Sequence, residues 1–264
     1  MISVFLKTVI SVSFCLAAAS ANALDVSGIK LGSRLEEAKT IMLSLNKGYN
    51  NPSFSNMDVS TIDGAPVGYR ATAPCVGVES YAACDETAIF QERGSAVWFV
   101  ARYQRYPDPK NRFPASDLVS MLKKKYGLDS MDSLNVALPD GGKFYNGKYL
   151  WAYDRSGKLR TNLVILQPMM GKQGDLGPCN LDNATLRTIY GNNTLYPSQI
   201  NNTCGQYVVA GFESDENGFV QAFKVEAVDI AHIYDATMRH KQAAEEAQKR
   251  ESDAQRAKGL KPNL

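Results

Sequence analysis

Apolar and polar positions along the chain repeat with different periods, and each change of period marks a new element. Between residues 34 and 46, Leu35, Ala38, Ile41, Met42 and Leu45 recur at helical spacing, which predicts a helix with one buried face. Ser33 with Glu36 beyond it has the form of a capping box, in which each side chain satisfies a free N–H at the helix start. From Val59 to Tyr106 the period shortens to two. The segments VSTI, VGYRATA, ETAIFQ and SAVWFVARYQRY read as strands separated by turn signals at Asp63-Gly64 and Arg93-Gly94-Ser95. In the longest, simple alternation puts Val97, Phe99, Ala101 and Tyr103 on one face and Trp98, Val100, Arg102 and Gln104 on the other. Its first half is apolar on both faces, which places it centrally in a sheet.

A second helix follows the Pro107-Asp108-Pro109 turn, with Leu118, Met121, Leu122 and Tyr126 on its apolar face and Gly127 placed to cap it at positive φ. The basic run Lys123, Lys124 and Lys125 at that end complements the helix dipole and reads as a solvated face. KYLWAYD and LRTNLVILQPM, joined by Arg155-Ser156-Gly157-Lys158, predict a hairpin. A Gly-, Asn- and Pro-rich stretch with one short helix in NATLRTIYG leads to a last hairpin, QYVVAGFE and FVQAFKVEAVD, turning at Asp215-Glu216-Asn217-Gly218. From Asp229 the pattern is helical again. Ile230, Ile233, Tyr234 and Met238 are placed to pack, but beyond Arg239 the apolar residues before Leu260 are all alanines. Favourably oriented pairs Glu245 to Lys249 and Glu246 to Arg250 support a solvated helix there, and the seam is too small for a coiled coil.

The opening MISVFLKTVISVSFCLAAASANA changes how the rest is read. Lys7, an apolar run of about a dozen residues and the Ala21-Asn22-Ala23 site have the three-part layout of a cleavable secretory signal, and the run falls short of the roughly 20 residues that span a bilayer. Cys15 lies within it and lacks the context of a lipid-modified cysteine. Cleavage removes Lys7 and takes the formal charge from +2 to +1, which excludes a long-range field for nucleic acid or an anionic membrane. Cys75, Cys84, Cys179 and Cys204 then remain, an even set in an oxidising compartment. Three pairings are possible, and Cys75–Cys84 with Cys179–Cys204 is favoured because each closes a short loop. Zinc is the rival use, but neither spacing is C-x-x-C and the histidines lie elsewhere.

Catalytic chemistry has little to work with. His232 and His240 stand about two turns apart on the final helix, with Asp229 placed to orient an imidazole or help hold a metal, yet a surface pair is the plainer reading. The sequence contains no nucleophile elbow, zinc-protease motif, phosphate-binding glycine loop or dinucleotide fingerprint. Asp215, Asn217 and Gly218 have a calcium-loop flavour but read as a hairpin turn. The one place where Arg and aromatic residues crowd together is Arg102, Tyr103, Arg105 and Tyr106, ahead of Arg112 and Phe113. Such residues dominate interface hot spots, so these four are the candidate partner-binding set, although Arg102 and Arg105 fall on opposite faces.

The start Gly28-Ile29-Lys30-Leu31-Gly32, the following Glu37-Ala38, and SAVWFVARYQRY, LVSMLKKKYG and LWAYDRSGK together resemble uncharacterised proteobacterial periplasmic proteins over most of Leu24 to Asp235. More distantly the chain is similar to SmpA/OmlA outer-membrane-assembly lipoproteins and β-lactamase inhibitor proteins. The resemblance implies a helical start with an antiparallel sheet and assigns no catalytic residue. The expectation is an α+β protein: a mostly antiparallel sheet with helices on one face, two local disulfides and a charged helical tail. Its parts are a signal peptide at 1–23, a helix and sheet region at 24–171, a disulfide loop and final hairpin completing the sheet at 172–234, and the tail at 235–264. The expected function is non-enzymatic protein binding in the periplasm or outside the cell, as an inhibitor, immunity protein or envelope-assembly adaptor. It calls for no cofactor, no metal, no nucleic acid and no membrane insertion. The alternatives are a cell-wall or glycan hydrolase using a carboxylate pair, which needs an acidic cleft, and a small-ligand carrier, which needs a deep apolar pocket.

Overall fold

A computed structural model describes residues 24–49, 53–56, 67–75, 83–91, 96–127, 147–160, 202–257 and 259. The predicted signal peptide, the VSTI and LVILQPM segments, NATLRTIYG and Cys179 lie outside them. The described chain is α+β. A two-stranded ribbon, β1 (Asp25–Val26) and β2 (Ile29–Lys30), leads into α1 (Leu35–Leu45). Then come β3 (Ser53–Asn56), β4 (Val67–Pro74), β5 (Ala83–Gln91), β6 (Val97–Arg105) and α2 (Ala115–Tyr126). β7 (Gly147–Asp154), β8 (Cys204–Ser214), β9 (Val220–Asp229) and α3 (Ile230–Ala257) complete the order. β3 to β9 form one antiparallel seven-stranded sheet in the order β3-β4-β5-β6-β9-β8-β7. The final hairpin therefore lies between β6 and β7, and β6 is the central strand, as its doubly apolar first half predicts.

One lateral row shows how the sheet makes its main core. Tyr69, Ile89, Val100, Ala227, Val208 and Trp151 pair across six strands and are all buried. They pack with Ala38 and Met42 of α1 and with Ala115, Leu118, Leu122 and Tyr126 of α2. Met121, expected on that apolar face, is 66% exposed. The 3-4-4 spacing of the buried α2 residues sets the face, and Met121 stands about 100° around the helix from Leu122. The end of α2 is tied to the sheet by Trp151 Nε1 donating to Gly127 O at 3.0 Å and Tyr153 Oη donating to Tyr126 O at 2.8 Å. Gly127 has φ 86° and donates its N–H to Lys123 O, so the predicted cap forms.

Three expectations need correction. Helices do not keep to one face. Ile230 and Ile233 of α3 pack on the other side of the sheet with Phe90, Trp98, Phe99, Leu150, Tyr207 and Val228. The capping box is not made: α1 starts after Arg34, and Ser33 Oγ donates to Lys30 O instead. Gly32 N donates to Val97 O and Val97 N to Ser33 O, which stitches this segment to β6 and keeps Ser33 out of the helix entry. The alternation of β6 also breaks. Phe90 pairs with Phe99 but Gln91 pairs with Val97, so Trp98 is the extra residue of a β-bulge. Val97 thus joins Val100 on the α1/α2 face, while Trp98 and Phe99 both join the α3 face.

Of the two expected disulfides, Cys75–Cys84 is formed, with Cα atoms 4.8 Å apart, and clips the end of β4 to the start of β5. The Cys179–Cys204 pairing is not confirmed. Cys179 lies outside the described residues, and Cys204 is buried at the head of β8. Among the described residues no helix is long and apolar enough to cross a membrane.

Candidate functional site

The sequence set Arg102, Tyr103, Arg105 and Tyr106 divides between the two faces of β6. Arg102 points to the face that carries the β1–β2 turn. Its Nε and Nη2 donate to Asp85 Oδ1 and Oδ2 at 3.1 and 2.8 Å, a two-pronged match of guanidinium to carboxylate, and Nη1 donates to Ser27 Oγ at 3.1 Å. Asp85 also accepts from Tyr49 Oη at 2.6 Å, Asn46 Nδ2 at 3.2 Å and Gln104 Nε2 at 3.3 Å. Burial raises the Asp85 carboxyl, but hydrogen bonds from Arg102 and Tyr49 outweigh it and hold the group below its ordinary range. Burial works against the Arg102 charge in the same way, and Asp85 reverses it, so the guanidinium is pushed up. Burial and then the bond to Asp85 push the Tyr49 phenol up. Tyr106 lies on this side too, stacked on Phe223 and edge-on to Phe113.

Tyr103 and Arg105 are brought together on the opposite face. Arg105 Nε donates to Tyr103 Oη at 3.0 Å, and its guanidinium carbon lies 5.7 Å from the Tyr103 ring centre. Beside them is a hollow of about 210 Å³ lined by Glu86, Ala88, Ala101, Tyr103 and Lys224. Register explains it. Arg70, Ala88, Ala101, Glu226 and Val209 form one lateral row, and Glu86, Tyr103 and Lys224 form the next. Two alanines side by side leave a dip between longer neighbours.

The charges around this hollow are layered. Glu86 and Glu226 have side chains 16% and 4% exposed, whereas those of their partners Arg70 and Lys224 are 52% and 38% exposed. Arg70 Nη2 meets Glu86 Oε2 at 2.6 Å, and Lys224 Nζ pairs with Glu226 Oε1. Tyr207 Oη, one row further in, is buried without a hydrogen-bond partner, and burial, then the nearby Glu226, raises its phenol well above the ordinary value. Alternation alone separates Tyr103 from Arg102. The cross-strand partners Asp85, Glu86, Lys224 and Glu226 were invisible without the register.

The remaining candidates resolve into structural roles. Asp229 caps α3, its Oδ1 accepting from the His232 backbone N–H at 2.9 Å, while its Oδ2 accepts from Gln206 Nε2. Asp215 Oδ1 accepts from the N–H groups of Asn217 and Phe219, and its Oδ2 pairs with Arg112 at 3.0 Å. These bonds are those of a hairpin turn. Among the described residues no group of three or more His, Cys, Asp or Glu side chains is arranged to hold a metal ion. Comparison with protein families, with curated proteins and with solved structures finds no match to this chain.

Proposed function

We propose that the chain is a non-enzymatic binding protein of the cell envelope, working in the periplasm or outside the cell as an inhibitor, immunity protein or assembly adaptor. In this reading it meets a protein partner with the half of the sheet face around Tyr103 and Arg105. The observation that carries it is the surface just described: an aromatic ring and a guanidinium held against each other beside a shallow hollow with ion-paired rims. Aromatic and Arg side chains fixed in place before contact lose little freedom on docking, which is what an interface anchor needs. The secretory signal and the likeness to inhibitor and adaptor proteins agree with it. A carboxylate-pair hydrolase draws no specific support, since Glu86 and Glu226 are each held in an ion pair.

The test is a photo-crosslinking residue placed at exposed Glu213 on this face, with exposed Glu37 of α1 as control. We expect a discrete adduct with one envelope protein from Glu213 alone. No adduct there, or the same adducts from both positions, rejects the reading.

A further inference from the structure

We infer that the partner segment docking on this face is acidic, and that Arg105 is the residue that reads its carboxylate. The inference rests on the binding reading above and names the chemistry of the partner. An exposed arginine normally samples many rotamers, and fixing it on docking costs free energy. Arg105 is exposed yet already held, with Nε spent on Tyr103 Oη and the guanidinium carbon 5.7 Å from the ring centre. Its two Nη groups have no carboxylate partner among the described residues. A guanidinium presented in this way matches one carboxylate through two parallel N–H bonds.

The surroundings carry the same sign outward. Lys224 and Arg70 show their cationic ends, while the acids that balance them are sunk beneath. Among the described residues Glu213 is the exposed acid of this half face, standing beyond Ala222 in the Arg105 row, and no ion pair joins it to Arg105. An incoming carboxylate therefore meets cations first. The sunken acids also tie Arg70 and Lys224 down, leaving Arg105 as the group with donors to spare. Tyr103 acts here as a positioning residue.

The measurement follows the Arg105 Nε–Hε resonance of the full-length mature protein during titration with an octapeptide of alternating Glu and Ala. The same peptide with Gln for Glu and inorganic phosphate are the comparison probes. We expect a saturable shift with the Glu peptide, at least about tenfold weaker binding of the Gln peptide, and weaker binding of phosphate. Tyr103→Phe, which keeps the ring but frees Nε, is expected to weaken the Glu peptide about threefold, and Arg105→Gln to abolish its binding while leaving the fold's amide spectrum intact. No shift, an equal response to the Gln peptide, or phosphate binding as tightly as the peptide overturns the inference. A Glu213 crosslink whose yield is unchanged in Arg105→Gln overturns it while leaving the binding reading standing; loss of the crosslink in the wild-type chain removes both.

Discussion

Arg102 and Arg105 leave the same strand three residues apart and meet opposite conditions. Arg102 is turned toward the β1–β2 turn, where Asp85 binds both prongs of its guanidinium and neither charge is hydrated well. Arg105 is turned to solvent, held by a phenol and, among the described residues, matched by no carboxylate. The difference comes from what the neighbouring strand offers at each register position. Thr87 faces Arg102 with Asp85 two residues along, whereas Ala222 faces Arg105. Buried charge is kept only where it is matched; exposed charge is left over for other uses.

The largest expected effect breaks the buried member of the comparison. Arg102→Ala removes the cation paired with the Asp85 carboxylate, which is only 5% exposed and keeps, among the described residues, neutral donors alone, and should cost about 3–5 kcal/mol in urea unfolding. A loss close to that of Arg105→Ala would show that the two sites do not differ as described. Next comes the clip beside Asp85. Replacing both Cys75 and Cys84 by Ser opens a loop with a sequence separation of 9 and should cost about 2.5 kcal/mol, measured the same way.

Acid sharpens the comparison further. The Asp85 carboxyl is held low in the fold, against an unfolded value of about 3.9. Its stabilising contribution is therefore complete above that value and disappears as the pH falls through the lower, folded one. The stability gap between wild type and Asp85→Asn should accordingly narrow from pH 7 to pH 3, and a gap that stays constant would mean that ionisation is not its source. Arg105→Ala should produce the smallest change, within about 0.5 kcal/mol, because nothing buried is left unmatched. A larger loss would make Arg105 part of the fold rather than of a surface.

Much of the architecture was legible from periodicity. VGYRATA, SAVWFVARYQRY, the last hairpin and all three helices were readable because each holds its period for long enough. What failed were features decided by partners distant in sequence. The capping box at Ser33 lost to hydrogen bonds with Val97, and the even alternation of β6 lost to the bulge at Trp98, which pairing with Phe90 and Gln91 creates. The predicted hairpin after β7 begins as expected, with Tyr153 bridged to Leu159 and the rest of its second strand outside the described residues, but nothing local marked the long ladder of β7 with β8, some 60 residues on. The candidate site was half legible. Tyr103 and Arg105 stood out as residue types, but nothing local marked Asp85 as the group that claims Arg102, or Glu86 and Glu226 as the less exposed layer beneath the cations.

The junction of β9 and α3 has a mechanical consequence. Asp229 is both the last residue of β9, the neighbour of the central strand, and the cap of the helix that follows, so no loop intervenes. A helix rises about 1.5 Å per residue, and the mostly exposed stretch from Lys241 to Ala257 thus reaches about 25 Å from the packed first turns. Without a hinge, a lateral load on the far end acts as a torque on β9 inside the sheet. Whatever grips that end has a lever on the strand that carries Lys224 and Glu226.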